Sequence, residues 1–144
     1  SCSSIHYYHP FSVPSRPLML FPLPWGRLRP QSPVHALLWY LLQGFWGRAG
    51  IFPPSLLRRF FSRYPPYERA LGFDMPAETG SSAGEYFGRE TSVGHLGFTG
   101  TSFWMALDHG IIIVLLTNRI HPRRASEAIK QFRPVLHNTL MACI

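Results

Sequence analysis

Apolar side chains recur at helical spacing in two segments that follow residue 33. The first segment repeats them at i, i+1, i+4, i+5 and i+8, namely at Leu37, Leu38, Leu41, Leu42 and Phe45. The second has Ser55 in the position of a helix cap, followed by Leu56, Leu57, Phe60 and Phe61. The pattern predicts two short helices, each with one buried stripe.

Strand patterns follow the two helices. Residues 67–75 alternate between two faces, with Ala70, Gly72 and Asp74 on one of them, and predict a single strand. The segment 76–90 is rich in Pro, Gly and Ser and predicts a loop. "SVGHLGF", "GTSFWMAL" and the continuous run "IIIVLLTNR" predict three further strands, the last two joined by a tight turn at "DHG".

The last segment, "PRRASEAIKQFRPVLHNTLM", predicts a helix that covers one face of these strands. Its apolar stripe contains Ala125, Ile129 and Phe132 and continues with Leu136 and Leu140. Pro134 lies within the stripe and is expected to kink the helix. Helices, then an antiparallel meander, then a covering helix make an α+β fold.

Residues 1–33 differ in composition and periodicity from the rest of the chain. They hold seven of the 14 prolines and show neither helical nor strand period. We interpret them as an irregular Pro-rich leader, with an out-of-frame origin favoured over a polyproline docking arm. The predicted domain is therefore 34–144.

Charge is distributed unevenly along the chain and argues against a nucleic-acid partner. The formal net charge of +7 lies in residues 1–67, which hold seven arginines and no acid, and these arginines are scattered among prolines and aromatics. The apolar run from Val34 to Trp46 is too short to span a bilayer, so a membrane partner is not expected. Cys2 and Cys143 lack zinc-site spacing, and no metal or cofactor is predicted.

Two motifs suggest acyl-transfer chemistry. Gly80-Ser81-Ser82-Ala83-Gly84 matches the G-x-S-x-G nucleophile elbow, but no hydrophobic strand precedes it and no long helix follows, so we interpret it as a loop. In "HLGFTGT", Gly97 leaves a strand beside His95 without a side chain, which permits close approach of a ligand to the backbone. Exposed N–H groups beside such a histidine suit a carboxylate or an oxyanion.

The segment "GHLGFTGTSFW" resembles the third active-site box of the serine β-lactamase and penicillin-binding-protein-like hydrolases, in the branch related to class C β-lactamases and serine esterases. In many relatives outside the true β-lactamases this box reads H-x-G with an FTGT-like continuation, and "GIIIVLLTNRIHP" is similar to the strand that follows it. The resemblance extends over roughly residues 34–140 and implies the C-terminal part of a β-lactamase-like α/β sandwich.

The resemblance also implies roles for individual residues. His95 takes the place of the box lysine as the catalytic hydrogen-bonding group, and the backbone N–H of Phe98 is one oxyanion-hole donor. Gly97 and Thr99 are expected to bind substrate. Leu96 departs from the usual Thr or Ser, which favours a small-molecule ester or amide over a β-lactam.

The other two boxes of that family are missing. No S-x-x-K or Y-x-N occurs, and the single lysine, Lys130, has no serine three residues before it. We therefore predict a fragment of a serine hydrolase that is inactive alone. A non-catalytic binding module and, less favoured, a membrane-associated basic protein are the alternatives. The sequence does not distinguish the cell envelope from the cytoplasm.

Overall fold

The computed structural model describes the backbone of residues 19–21 and all of residues 33–48, 50–122 and 124–144. Its helices are α1 (Pro33–Phe45), α2 (Pro54–Phe60) and α3 (Ala128–Met141). Its strands are β1 (Met19–Phe21), β2 (Arg69–Ala70), β3 (Phe73–Asp74), β4 (Ser92–Leu96), β5 (Ser102–Ala106) and β6 (Ile111–Leu115). The strands form one antiparallel sheet in the order β1-β6-β5-β4-β3-β2. The predicted mixed α+β class is confirmed.

The centre of the sheet is the predicted meander. β4 pairs with β5 from Ser92 opposite Ala106 to Leu96 opposite Ser102, and β5 pairs in turn with β6 along its whole length. Almost all of β6 is buried, as its uninterrupted Ile-Ile-Ile-Val-Leu run predicts for a strand covered on both faces.

Two apolar cores cover the two faces of this sheet. Met105 and Ile112 pack with Leu38 and Leu42 of α1 and with residues of α2. The alternate residues of the same strands, such as Trp104 and Ile113, pack with Leu136 and Leu140 of α3. Side chains alternate between the faces of a strand, so one meander is buried by helices on both sides. α3 covers one face as predicted.

The segment 67–75 is a hairpin, and the prediction of a single strand is wrong. β2 and β3 pair through Arg69 with Asp74 and through Ala70 with Phe73. Between them, Gly72 has φ +76°, a left-handed conformation that glycine adopts without steric cost and that reverses the chain. The alternating pattern therefore concealed a turn.

The buried faces of the helices are narrower than predicted. Leu57 and Phe61 are buried, but Leu56 and Phe60 are exposed, and Leu37 of α1 is 57% exposed. Ser55 does not cap α2, because the helix already begins at Pro54 with Pro53 in the cap position. Ala125 precedes α3 and is exposed, whereas Pro134 lies inside α3, which continues to Met141.

Three residues of the Pro-rich leader form a strand that the sequence pattern did not predict. β1 pairs with β6 from Met19 opposite Val114 to Phe21 opposite Ile112. It lies at the edge of the sheet, between Pro17 and Pro22 of the sequence, and an edge strand needs hydrogen bonds on one side only. The leader's interpretation as a docking arm or an out-of-frame segment, and Cys2, lie outside the described residues.

The G-x-S-x-G segment is a loop, as predicted. Gly80 and Gly84 have φ of +63° and +84°, and the Ala83 N–H donates to the Ser81 hydroxyl at 3.2 Å. Among the helices of the described ranges, none is long and apolar enough to cross a membrane.

Candidate active site

The turn between β4 and β5, residues 97–101, carries most of the residues that the sequence singles out. The Gly97 N–H donates to the Thr101 carbonyl at 2.7 Å, and the Gly100 N–H donates to the Gly97 carbonyl at 3.0 Å. Gly100 has φ +93°, and a Cβ there would lie 2.5 Å from Thr117 Oγ1. A glycine is therefore required to close this turn.

Gly97 faces another side chain of the turn. A Cβ at this position would lie 2.0 Å from Thr101 Oγ1, so the missing side chain makes room for Thr101. Packing within the turn is thus sufficient reason for a glycine here, apart from any ligand. Thr99 is half-buried, with its hydroxyl 3.5 Å from that of Thr101.

Arg133 of α3 holds the turn from beneath. Its side chain reaches from the helix to the turn, where Nη2 donates to the carbonyls of Thr101 at 2.8 Å and Gly97 at 3.3 Å. The residue is only 6% exposed, and burial, followed by the nearby charge of Arg119, lowers the pKa of its guanidinium from the usual value. Arginine keeps its proton in proteins, so a buried positive charge lies against two carbonyl oxygens.

Arg119 holds the outer side of the same turn. Its Nε donates to the Phe98 carbonyl at 2.8 Å, and its guanidinium carbon lies 5.0 Å from the centroid of the Phe98 ring. The backbone N–H of Arg119 donates to the Thr99 carbonyl at 2.8 Å. Its Nη1 donates to the carbonyls of Ser126 and Arg124 at 3.1 and 3.3 Å, which fixes the guanidinium in place.

These contacts give the turn a defined polarity. The carbonyls of Gly97, Phe98, Thr99 and Thr101 all accept hydrogen bonds, three of them from arginine side chains. Within the residues that the structure describes, the N–H groups of Phe98, Thr99 and Thr101 have no acceptor. A backbone whose carbonyls are held by cations, with a donor left over, is suited to bind an anionic oxygen.

His95 lies on β4 just before this turn and is exposed. Its Nδ1 is 3.0 Å from the Leu96 carbonyl oxygen, which can only accept a hydrogen. In the neutral ring the proton therefore lies on Nδ1, and Nε2 carries a lone pair that can accept a hydrogen bond. His95 and the turn together offer one acceptor and one donor at the end of the strand.

Asp74 completes the edge of β4 and was not singled out from the sequence. Its Oδ2 accepts the Leu96 N–H at 3.2 Å, and its Oδ1 pairs with Arg69 Nη2 at 2.5 Å. The carboxylate thus accepts the Leu96 N–H. The Phe98 N–H, two residues farther along, does not bond to it. Only the pairing of β3 with β4, through Asp74 and Gly94, brings the group here.

The sequence did contain a signal for Arg133. Ile129, Arg133, Leu136 and Leu140 recur at i, i+4, i+7 and i+11, so a charged residue occupies a core position of the α3 stripe. A charge at such a position needs a buried partner. The carbonyls of the turn are that partner.

A second histidine lies deep beneath the sheet but serves a structural role. His137 has no exposed surface, and its Nδ1 is 2.8 Å from the carbonyl oxygen of Ser82, not from the hydroxyl that a nucleophile would use. Burial lowers the pKa of His137 to about 4. The contact therefore fixes the G-x-S-x-G loop on α3 and does not activate a serine.

Lys130 and metal ligands are the remaining groups to consider around the turn. Lys130 is exposed and forms an ion pair with Glu127, one turn of helix earlier. In the described part of the chain, no group of three or more His, Cys, Asp and Glu side chains could hold a metal ion. Hydrogen bonding to an anionic or carbonyl oxygen is the chemistry that this arrangement provides.

No protein-family model, curated protein or solved structure matches this chain. The roles that the resemblance implies for His95, Gly97, Phe98 and Thr99 stay predictions.

Proposed function

We propose that β4 and the 97–101 turn form one wall of an acyl-binding site related to that of the serine β-lactamase-like hydrolases. The observation that carries the proposal is the polarity of the turn, whose carbonyls are held by Arg119 and Arg133 while the Phe98 N–H has no acceptor among the described residues. Such a donor, aimed before the reaction begins, stabilises the charge that develops on a carbonyl oxygen.

In the complete reaction of this class, a serine attacks an ester or amide carbonyl and water later releases the acyl group. The Phe98 N–H would bind the carbonyl oxygen as it becomes negative. His95 Nε2 would accept a hydrogen bond from the substrate or carry a proton near the nucleophile. Leu96 offers no hydroxyl for a substrate carboxylate, which favours neutral esters and amides.

This chain contains no S-x-x-K, so we propose binding without turnover for the chain by itself. The alternative of a non-catalytic binding module uses the same wall, and both versions predict that a carboxylate binds at Phe98. They differ only in whether a partner segment supplies a nucleophile.

The experiment combines a labelling assay with a binding assay. We expect a fluorophosphonate probe for activated serines to leave the chain unlabelled, and acetate to shift the backbone amide resonance of Phe98 saturably, with an affinity in the millimolar range. Arg119→Gln, which weakens the hold on the Phe98 carbonyl, should weaken acetate binding several-fold. His109→Gln, which changes an exposed histidine in the next turn, should not.

Two results would contradict the proposal. Stoichiometric labelling would show that the chain holds its own activated serine. An unchanged Phe98 amide resonance at high acetate concentration would show that this N–H does not bind an oxyanion.

A further inference from the structure

A cleft of about 380 Å³ opens beside His95, on the side of the sheet that α1 and α2 cover. Its walls come from the chain after α2 and from the β2–β3 hairpin, and they include Tyr64, Tyr67, Arg69 and Gly72. A Cβ at Gly72 would have no neighbour within 4 Å, so the backbone itself borders open space there.

The two tyrosines are exposed on a turn whose backbone is fixed by hydrogen bonds. Tyr64 is 53% and Tyr67 66% exposed, although large aromatic side chains usually bury more of their surface. The Tyr64 N–H donates to the Arg69 carbonyl and the Tyr67 N–H to the Tyr64 carbonyl, both at 2.9 Å. Pro65 and Pro66 between them restrict the backbone further. Two aromatic faces are thus presented to solvent on a stiff turn.

The floor of the cleft continues an aromatic row in the core. The Phe73 ring packs edge-on against Phe61, with centroids 5.0 Å apart, and lies 6.2 Å from Phe103, which is opposite His95 across the strands. Phe73 also lines the cleft. A ligand ring here would meet aromatic surface from the tyrosines and from Phe73.

Few polar groups line the cleft, and Arg69 among them is oriented by an ion pair. Arg69 is fixed by its ion pair with Asp74, and no carboxylate belongs to the cleft wall itself. The remaining guanidinium N–H groups can each donate to an oxygen atom of a ligand, and His95 Nε2 can accept a hydrogen bond from a ligand hydroxyl. The cleft therefore combines aromatic faces with oxygen-binding groups at the end nearest β4.

We infer that this cleft binds the aromatic acyl group of the ligand whose carboxyl oxygen is held at the 97–101 turn. The inference rests on the proposed function, because His95 belongs to both regions. It adds the substrate class: aromatic acids and their esters rather than short aliphatic ones. Ring stacking, not general apolar burial, is the source of the preference.

The test compares three carboxylates, acetate, cyclohexylacetate and phenylacetate, by amide chemical-shift titration of the whole chain. We expect phenylacetate to bind about fivefold more tightly than acetate, with cyclohexylacetate between them. Tyr67→Ala and Tyr64→Ala should remove that gain and leave acetate binding unchanged. Tyr67→Phe, which keeps the ring, should retain it.

Tyr86→Ala is the matched control, since Tyr86 is equally exposed but lies outside the cleft. Equal binding of all three acids, or a phenylacetate gain that survives Tyr67→Ala and Tyr64→Ala together, would overturn the inference while acetate shifts at Phe98 still support the proposed function. Failure of every acid to shift Phe98 would instead remove the proposed function. If, in that case, the acids shift only amides that line the cleft, the cleft binds aromatic rings but not the acyl group of a ligand held at the turn. That result would also overturn the inference.

Discussion

The two turns at the ends of β5 are held in opposite ways. The 97–101 turn is held through its carbonyls, which accept hydrogen bonds from Arg119 and Arg133. The 107–110 turn is held by a carboxylate. Asp108 accepts hydrogen bonds from the His109 N–H at 3.0 Å and from the Thr91 hydroxyl at 2.9 Å. In the 97–101 turn the Phe98 N–H has no acceptor among the described residues, whereas in the 107–110 turn the carboxylate accepts the His109 N–H.

The second turn is also anchored by packing. Trp46 donates from its indole N–H to the Leu107 carbonyl at 2.9 Å, and its ring lies where a Cβ of Gly110 would be. The two turns therefore differ in the sign of the charged side chains that hold them.

The largest effect should come from Arg133→Ala. The change removes two hydrogen bonds to the 97–101 turn and leaves a cavity under it, so we expect a loss of about 3 kcal/mol in the free energy of unfolding, measured with urea. Asp108→Asn, the corresponding change in the other turn, should cost about 1 kcal/mol. Equal losses of unfolding free energy in Arg133→Ala and Asp108→Asn would contradict the proposed difference between the two turns. Arg59→Ala, an exposed change on α2, should stay within about 0.5 kcal/mol.

Acid should weaken the α3 side of the sheet through His137. Its pKa is about 4 in the folded chain and near 6.5 when unfolded, so the unfolded chain binds more protons between these values. Stability is therefore complete above pH 6.5 and falls as the pH is lowered toward 4. We expect a loss of about 1.5 kcal/mol between pH 6.5 and pH 5 in urea unfolding.

His137→Gln should flatten that part of the pH profile, whereas His95→Gln, at an exposed position, should leave it unchanged. A profile that keeps its slope in His137→Gln would place the acid sensitivity elsewhere.

A smaller effect tests why Gly97 is a glycine. Gly97→Ala places a methyl group against Thr101 Oγ1, and we expect a cost of about 1–2 kcal/mol in thermal or urea unfolding. In the Thr101→Ala background, the same change should cost markedly less, because the opposing hydroxyl is gone. An undiminished cost in the double variant would mean that Thr101 is not what excludes a side chain.

The strands of the meander were predictable because each is a short apolar run bounded by glycine or a turn motif. The β2–β3 hairpin was not, since Gly72 fits an alternating strand pattern as well as a left-handed turn. The predicted apolar stripes of α1 and α2 were wider than the faces that the structure buries. Periodicity alone does not show how far the sheet extends beneath a helix. Packing decides that limit.

The candidate site was predictable only in part. "HLGFTGT" carries recognisable chemistry, but the role of Arg133 depends on a helix that lies more than thirty residues later and crosses beneath the turn. The cleft depends on Tyr64 and Tyr67, which lie in a stretch without period and reach His95 only because the hairpin pairs with β4. Groups that meet through sheet pairing leave no local pattern.

The short strand β1 has a consequence for solubility. It covers the outer edge of β6, whose Ile-Ile-Ile-Val-Leu backbone would otherwise offer unpaired donors and acceptors to another copy of the chain. Apolar, β-branched segments without charge are the ones that assemble into intermolecular sheets when such an edge is open. Three residues from the least regular part of the sequence thus shield the backbone of its most hydrophobic strand from pairing with another chain.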